Sequence, residues 1–193
     1  GNSFSNDLSW PLRNVANQPF LTLSSDVSGL TIGKSSNTSN ITLTDALTVA
    51  GPISIYGADI TTGAVTATAS TLTLQGTGNV TLGDNVTASS VRLLGGNVAF
   101  NGTSNTIGTL AASGVGHLSL VNSGALTVGT VGTTNGVSAT GNVSIATQTG
   151  DLTVSQNISA ANLVLSADRG ANVGGAGTGG NVKFSGSPTI NVS

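Results

Sequence analysis

The sequence lacks cysteine, methionine and glutamate, and it has only five Lys or Arg residues and seven Asp residues among 193. The absence of cysteine excludes disulfides, thiolate catalysis and cysteine-based zinc sites. Charged residues make up 6% of the chain, whereas they make up about a quarter of an ordinary soluble domain. Because Glu, Lys, Gln and Arg normally cover the exposed surfaces of helices, their scarcity argues against a helical or α/β protein.

Other absences narrow the range of partners. The net charge is −2 and the isoelectric point is near 4.8, so there is no basic patch and we expect no nucleic-acid partner. No apolar run approaches the roughly 18 residues of a membrane span, so we expect no membrane insertion. The first twenty residues lack the apolar core of a signal peptide, and the chain begins with Gly1. We interpret it as an excised piece of a longer protein.

Small polar residues are abundant instead. Glycine, threonine, serine and asparagine number 28, 28, 25 and 19, which is just over half of the chain. Leu, Ile, Val and Phe still account for about a quarter of the residues, above the roughly 20% below which chains stay disordered. The chain is therefore expected to fold around an aliphatic core.

Apolar residues alternate with small polar residues in short bursts, as in 41–43, 80–82 and 143–145. A period of two over three to five residues rich in Val, Ile and Thr predicts short, half-buried β-strands. Phe100 and Phe184 follow the same alternation and are predicted to point inward. Gly, Asn, Asp and Ser stand between the bursts, where we predict corners, and we assign the asparagines there to their tolerance of left-handed backbone.

The bursts recur about every 20 residues and define three interleaved ladders of apolar residues. The first ladder contains Leu21, Ile41, Ile60, Val80, Val98, Leu118, Val143, Leu163 and Val182. The second contains Ile32, Ile53, Leu72, Val91, Leu110, Val131, Leu152, Val173 and Ile190. The third contains Leu47, Val65, Val86, Ile107 and Leu126. A fixed period in this range indicates a stacked repeat architecture.

We therefore predict an all-β fold, a right-handed parallel β-helix (β-solenoid) of about nine coils of roughly 20 residues, spanning residues 19–193. A coil is one turn of the solenoid, and its inward side chains are buried only when coils stack. The right hand follows from the handedness of nearly all parallel crossovers. The one long interval, from Leu118 to Val143, predicts a loop insertion near 129–136. Residues 1–18 fit no ladder and are predicted to form an irregular N-terminal segment or cap.

Four segments resemble the repeats of a known family: 77–83, which reads Thr-Gly-Asn-Val-Thr-Leu-Gly, 141–145, 149–154 and 180–190. This family is the filamentous-haemagglutinin-like exoproteins, which include the high-molecular-weight adhesins exported by two-partner secretion. The resemblance covers roughly residues 20–193. It implies a structural shaft of a secreted or cell-surface bacterial adhesin, which supports cell adhesion and virulence indirectly by projecting a binding region. It further implies an extracellular or bacterial cell-surface location, an outer-membrane secretion transporter that acts on the parent chain, and a host glycan or receptor as partner.

No group of residues in the sequence points to catalysis. Acid–base catalysis needs two carboxylates, or a carboxylate and a histidine, at one site, but the Asp residues are scattered over the coils and His117 is the only histidine. We interpret the Asp residues as turn formers and expect His117 to face outward. The glycine segment 174–179 resembles a calcium-binding repeat but has Gly179 where the Asp ligand should stand. We predict no enzyme activity, no catalytic residue, no metal site and no cofactor.

Alternatives to the shaft remain. The first is a glycan- or receptor-binding module on one face of the β-helix, and more distant ones are an ice-binding protein and a polysaccharide-active enzyme. Ice binding needs regular outward ranks of threonine, and the rank of Thr22, Thr42, Thr61 and Thr81 is interrupted at Ala99. A polysaccharide-active enzyme needs clustered acidic or basic residues, which the ladders do not bring together.

Eight Asn-x-Ser/Thr sequons are present in the chain. Some high-molecular-weight adhesins are glycosylated at such sites, so the resemblance makes Asn79, Asn85, Asn142 and Asn157 candidate glycosylation sites. The competing interpretation is that asparagine is favoured at corners and Val-Thr is favoured within strands.

Overall fold

A computed structural model of the chain describes residues 8–10, 27–168 and 179–193. These residues form an all-β structure without any helix, and so none that is long and apolar enough to cross a membrane. The first eleven strands are β1 Leu8–Trp10, β2 Leu30–Ile32, β3 Ile41–Leu43, β4 Leu47–Val49, β5 Ile53–Gly57, β6 Ile60–Thr62, β7 Val65–Gly76, β8 Asn79–Leu82, β9 Val86–Leu94, β10 Asn97–Phe100 and β11 Thr106–Val115. The next eleven are β12 Leu118–Asn122, β13 Leu126–Val128, β14 Thr130–Val131, β15 Thr134–Asn135, β16 Val137–Ala139, β17 Asn142–Thr147, β18 Leu152–Val154, β19 Ile158–Ala160, β20 Asn162–Ser166, β21 Val182–Phe184 and β22 Ile190–Val192.

The strands stack in parallel and form a β-solenoid. In the eight-stranded sheet the order is β1-β3-β6-β8-β10-β12-β17-β20, so each strand pairs with its equivalent in the neighbouring coil. The twelve-stranded sheet follows the path β2-β5-β7-β9-β11-β13-β18-β21, with β4, β16, β19 and β22 paired beside it. The described residues form about seven coils. The predicted parallel β-solenoid is therefore confirmed, whereas the predicted number of nine coils is not.

The first predicted ladder is a true column of stacked residues. Strand register aligns seven of its members on successive coils, namely Ile41, Ile60, Val80, Val98, Leu118, Val143 and Leu163. Leu8 of β1 stands opposite Ile41, so three residues of segment 1–18 pair with this sheet. Leu21, which the periodicity places in the column, lies outside the described residues. The assignment of Val182 to this column is wrong, because Val182 pairs with Leu152 in the other sheet.

The second predicted ladder is correct in its middle part. Strand register aligns Ile53, Leu72, Val91 and Leu110 on four successive coils. Ile32 is wrong by two residues, because Leu30 is the residue that pairs with Ile53. At the other end Leu152 and Ile190 belong to other columns, and Val173 lies outside the described residues.

The third predicted ladder is correct for its first three members, Leu47, Val65 and Val86. It then slips, because Ile107 pairs with Ala88, which places Asn105 opposite Val86. The backbone N–H of Val86 donates to the side-chain oxygen of Asn105 at 2.8 Å. A buried asparagine therefore takes the place of an aliphatic residue at this corner of the solenoid.

An antiparallel β-hairpin, formed by β14 and β15, interrupts the coil between β13 and β16. The backbone N–H of Gly136 donates to the carbonyl oxygen of Gly129 at 2.8 Å, which closes the base of the hairpin. The hairpin occupies 129–136, the stretch in which the long ladder interval predicts an insertion. It also explains why Val131 does not continue the second ladder: Val128, the last strand residue before the hairpin, takes that position.

The hairpin lies against the outer face of the twelve-stranded sheet. Val131 in the hairpin is 4% exposed, and Ala111 on the adjacent strand β11 is fully buried, although neither belongs to the main core. The Arg92 guanidinium donates to the hydroxyls of Thr134 and Thr133, each at 2.8 Å. The hairpin is thus held against the sheet by a small second core, which contains Val131 and Ala111, and by the Arg92 guanidinium.

Aliphatic side chains fill the interior of the solenoid, and the largest of them, such as Ile53 and Leu93, are fully buried. Phe100 is 6% exposed, which confirms that it points inward. The same prediction is wrong for Phe184, which is 57% exposed. Phe184 lies in β21, which pairs with β18 alone among the described strands, so no further coil covers it.

Candidate functional site

A column of polar residues follows one edge of the eight-stranded sheet. Each member directly precedes a residue of the first ladder, so the register that aligns the ladder also stacks these residues on successive coils about 4.8 Å apart. We call this set the amide column. Its members are Asn40, Asp59, Asn79, Asn97, His117, Asn142 and Asn162.

Hydrogen bonds between coils order the upper part of the amide column. Asn97 donates from Nδ2 to Oδ1 of Asn79 at 3.3 Å, and Asn162 donates from Nδ2 to Oδ1 of Asn142 at 2.9 Å. The backbone N–H of Asn142 donates to Nδ1 of His117 at 2.9 Å. This contact occupies Nδ1 of the ring and leaves Nε2 as the nitrogen that can contact a ligand. His117 is exposed, as expected from the sequence.

The lower part of the amide column carries its single negative charge. The backbone N–H of Asp59 donates to Oδ1 of Asn40 at 3.0 Å, and the backbone N–H of Asn79 donates to Oδ1 of Asp59 at 2.7 Å. The Asp59 carboxylate therefore acts as a backbone acceptor at a corner, which is the turn role that the sequence predicts.

A shallow groove of about 410 Å³ lies beside the amide column on the outer face of the sheet. One side of the groove is formed by Asn79, Asn97, His117 and Asn142. Its floor is formed by small outward side chains of β8, β10, β12 and β17, namely Thr81, Ala99, Ser119 and Ser144. None of the lining residues is charged. The exposed surface of the groove is mostly apolar, and the amide, imidazole and hydroxyl groups along it can bind a polar ligand but supply no acid–base pair.

Comparison with models of protein families, with curated protein sequences and with solved structures gave no match. The fold and the side chains therefore carry the functional argument for this chain by themselves.

Asp84, another acidic residue in the described part of the chain, also has a local structural role. Asp84 accepts a hydrogen bond from the backbone N–H of Asn85 at 2.7 Å. The His and Asp residues in the described part of the chain form no group of three that could hold a metal ion. Segment 174–178 of the calcium-like glycine run lies outside the described residues.

Asp151 forms an ion pair with Lys183 on the next coil. The hydrogen bond from Lys183 lowers the pKa of Asp151, and a second bond from the backbone N–H of Asn181, at 2.9 Å, acts in the same direction. Because the lowered pKa belongs to the folded chain, the pair stabilises the solenoid at neutral pH. That contribution is lost as the pH falls below the ordinary aspartate range and through the lowered value.

The threonine rank is present in the structure but is short. Thr42, Thr61 and Thr81 stand in register on three coils, and Ala99 interrupts the rank on the fourth. Thr22 lies outside the described residues. Ala99, which interrupts the rank, is one of the floor residues of the groove.

A longer column of outward Thr and Ser residues was not among the sequence-based predictions. It lies on the twelve-stranded sheet, where strand register aligns Thr71, Ser90, Thr109, Thr127 and Thr153. Each of these residues directly precedes an inward residue of the second column, and this placement was the signal available in the sequence. The hairpin hid the later members, because it displaces the ladder between Thr127 and Thr153.

The four candidate glycosylation asparagines occupy different positions. Asn79 and Asn142 are exposed members of the amide column. Asn157 is exposed and accepts the backbone N–H of Thr189 at 2.7 Å. Asn85 is half-buried and accepts the backbone N–H of Ser104 at 2.8 Å. Glycosylation at these four positions stays a prediction.

Proposed function

We propose that this chain is a structural shaft segment of a secreted or cell-surface bacterial adhesin. In this function it supports adhesion indirectly, by holding a separate binding region away from the cell. The observation that carries the proposal is the unbroken parallel pairing of strands along about seven coils around one aliphatic core.

Stiffness follows from this arrangement. Each inner strand has its backbone groups paired with the coils before and after it, and the core column Ile53, Leu72 and Val91 is fully buried. At about 4.8 Å per coil, seven coils give a rod roughly 30–35 Å long. A rod of this kind cannot bend without breaking inter-coil hydrogen bonds and opening the core.

The last described coil exposes apolar side chains on which further β-structure can stack. The exposed large apolar side chains of the described residues are Val164, Phe184, Ile190 and Val192. Val164 faces outward in register with Ser144, whereas Phe184, Ile190 and Val192 lie in β21 and β22, each of which has one partner strand among the described residues. Such an end is energetically unfavourable when it is left open to water.

The handedness of the coils, the location and the secretion partner are proposed from sequence patterns and from the family resemblance. The coils are right-handed, because parallel crossovers have that hand in nearly all proteins. The resemblance to filamentous-haemagglutinin-like repeats gives the parent chain an extracellular or cell-surface location and an outer-membrane transporter of the two-partner type as its secretion partner. The low charge and small side chains suit export as an unfolded chain that folds coil by coil.

Single-molecule force spectroscopy tests the mechanical part of the proposal. Pulling the chain by its two ends should unfold it in repeated steps of one coil, which for about 20 residues is a contour gain of about 65–70 Å. A helical-bundle domain in the same tether serves as the reference and should unfold at lower force. A chain that extends without steps, or at lower force than the reference, would contradict the shaft.

Labelling of intact source cells by an antibody against this chain tests the location. Labelling only after permeabilisation would contradict the proposed extracellular or cell-surface location.

A second candidate function, a binding module on one face of the β-helix, is favoured by the groove beside the amide column.

A further inference from the structure

We propose that the groove on the outer face of the eight-stranded sheet binds a neutral oligosaccharide that lies along the axis of the solenoid. The amide column forms the hydrogen-bonding side of this site and the small residues form its floor. This inference goes beyond the shaft function and does not depend on it, since a rod can carry a binding groove on its side.

The direction of the groove follows from the strands that build it. Its lining comes from four successive coils, through β8, β10, β12 and β17. Three coil spacings of about 4.8 Å make the groove roughly 14 Å long, and it runs across the strands. An elongated ligand that repeats along its own axis fits this shape better than a single small molecule does.

The polar groups of the groove are ordered before any ligand binds. Asn97 is held against Asn79, and Asn142 is held against Asn162, by side-chain hydrogen bonds of 3.3 and 2.9 Å. An asparagine amide has two N–H donors and a carbonyl acceptor, so each retains hydrogen-bonding capacity for a ligand. Side chains that are already fixed lose little entropy when they bind.

His117 adds an imidazole in the middle of the row. Its Nδ1 accepts the backbone N–H of Asn142, so Nε2 is the ring nitrogen that faces a ligand, and the residue is exposed. The imidazole adds a further hydrogen-bonding group to the amide donors and acceptors along the groove. Sugar hydroxyls, which both donate and accept, are the matching partners.

The charge of the site favours a neutral sugar. None of the lining residues is charged, and the Asp59 carboxylate lies directly next to Asn79 in the amide column. A sialylated or sulfated glycan would meet a negative charge at that end and no cation among the lining residues. A negatively charged group bound there would be repelled by this carboxylate with no cation to compensate.

The same surface is poorly suited to a peptide. The four lining strands are interior members of the sheet, with a paired strand on each side, so they offer no free backbone groups for strand addition. The floor residues Ala99, Ser119 and Ser144 form no deep apolar pocket for an anchoring side chain. They do allow the flat face of a sugar ring to approach the sheet closely.

Titration of the whole chain with a panel of oligosaccharides tests the proposal. The panel contains neutral gluco-, manno-, galacto- and xylo-oligosaccharides together with sialylated and sulfated glycans. Two variants remove the site in different ways: Ala99→Trp fills the floor, and Asn97→Ala removes an amide. Thr42→Trp is the matched control, because Thr42 occupies the same outward column three coils away.

We expect at least one neutral oligosaccharide to bind, with a dissociation constant raised at least tenfold by both groove variants and unchanged by Thr42→Trp. Circular dichroism establishes that each variant is folded. If Ala99→Trp fails to fold, Asn97→Ala decides, because its side chain is exposed. The proposal is overturned if no neutral glycan binds at millimolar concentration, if only acidic glycans bind, or if binding is insensitive to the groove variants. None of these outcomes changes the force-unfolding result that tests the shaft.

Discussion

Buried asparagines hold the corners of the solenoid through their side chains. Asn37, Asn105 and Asn122 are 3%, 0% and 1% exposed. Among the described residues the only non-glycine positions with positive φ are Ala69 and Asp168. The expectation that asparagine is used at corners for its tolerance of left-handed backbone is therefore wrong for the described asparagines. Their amides instead satisfy backbone groups that the corners leave without a strand partner.

Asn122 is the clearest case. Its Oδ1 accepts the backbone N–H of Ile107 at 2.9 Å, and its Nδ2 donates to the carbonyl oxygens of Ile107 and Gly124, each at 3.0 Å. Asn122→Ala leaves these three buried groups unpaired, at about 1–3 kcal/mol each, so we expect the free energy of unfolding to fall by about 3 kcal/mol or more. Urea unfolding measures this. The exposed Asn101 is the control, and Asn101→Ala should stay within about 0.5 kcal/mol. Equal effects of the two substitutions would contradict the role given to Asn122.

The hairpin of β14 and β15 departs from the coil pattern, because its two strands pair antiparallel to each other. It is closed at its base by Gly129 and Gly136, and it packs on the outer face of β11. Its placement depends on two glycines with positive φ, Gly132 at +60° and Gly136 at +64°. The two have the same backbone conformation in different surroundings, so they separate backbone strain from steric overlap.

Substitution of these glycines by alanine should have unequal effects. At Gly132 an added Cβ meets no described atom within 4 Å, so Gly132→Ala has only the left-handed backbone strain, about 1–2 kcal/mol. At Gly136 the added Cβ would overlap the backbone oxygen of Asn157 on the next coil. Overlap of this kind adds about 1–3 kcal/mol, so we expect Gly136→Ala to destabilise the chain by about 3–4 kcal/mol in urea unfolding. A Gly132→Ala variant as unstable as Gly136→Ala would refute the assigned contact.

At the scale of the whole molecule, the position of an apolar residue along the rod decides how much it contributes to the free energy of unfolding. Phe100 and Phe184 both end strands in which an apolar residue stands two positions earlier, and both were predicted to be inward. Phe100 lies in an interior coil and is 6% exposed, whereas Phe184 lies in the last described coil and is 57% exposed. The difference comes from the neighbouring coil and not from the local pattern.

The two phenylalanines therefore form a matched pair. Phe100→Ala should lower the free energy of unfolding by about 3–5 kcal/mol, because it leaves a cavity between coils. Phe184→Ala should lower it by less than about 1.5 kcal/mol, since most of the ring is in water already. Chemical denaturation of both variants provides the comparison. A large loss of stability in Phe184→Ala would mean that other structure covers this end of the rod.

Sequence patterns alone predict the parallel β-solenoid, its short strands and an insertion near 129–136. Alternation of apolar and polar residues is a local signal, and a coil of about 20 residues repeats because each coil packs on its neighbours alone. The column from Ile41 to Leu163 and the hairpin at 129–136 could therefore be read from spacing.

Three features could be found from the three-dimensional arrangement alone: the number of coils, the register beyond the hairpin and the composition of the groove. Register depends on which strand of the next coil a residue faces, and the insertion moved that partner from Val131 to Val128. The amide column is present in the sequence as a polar residue before each ladder position from Ile41 to Leu163, but its side-chain bonds join residues 18 to 25 positions apart. Such contacts, like the exposure of Phe184, arise between stacked coils, because the spacing of residues within one coil does not specify what the neighbouring coil places against it.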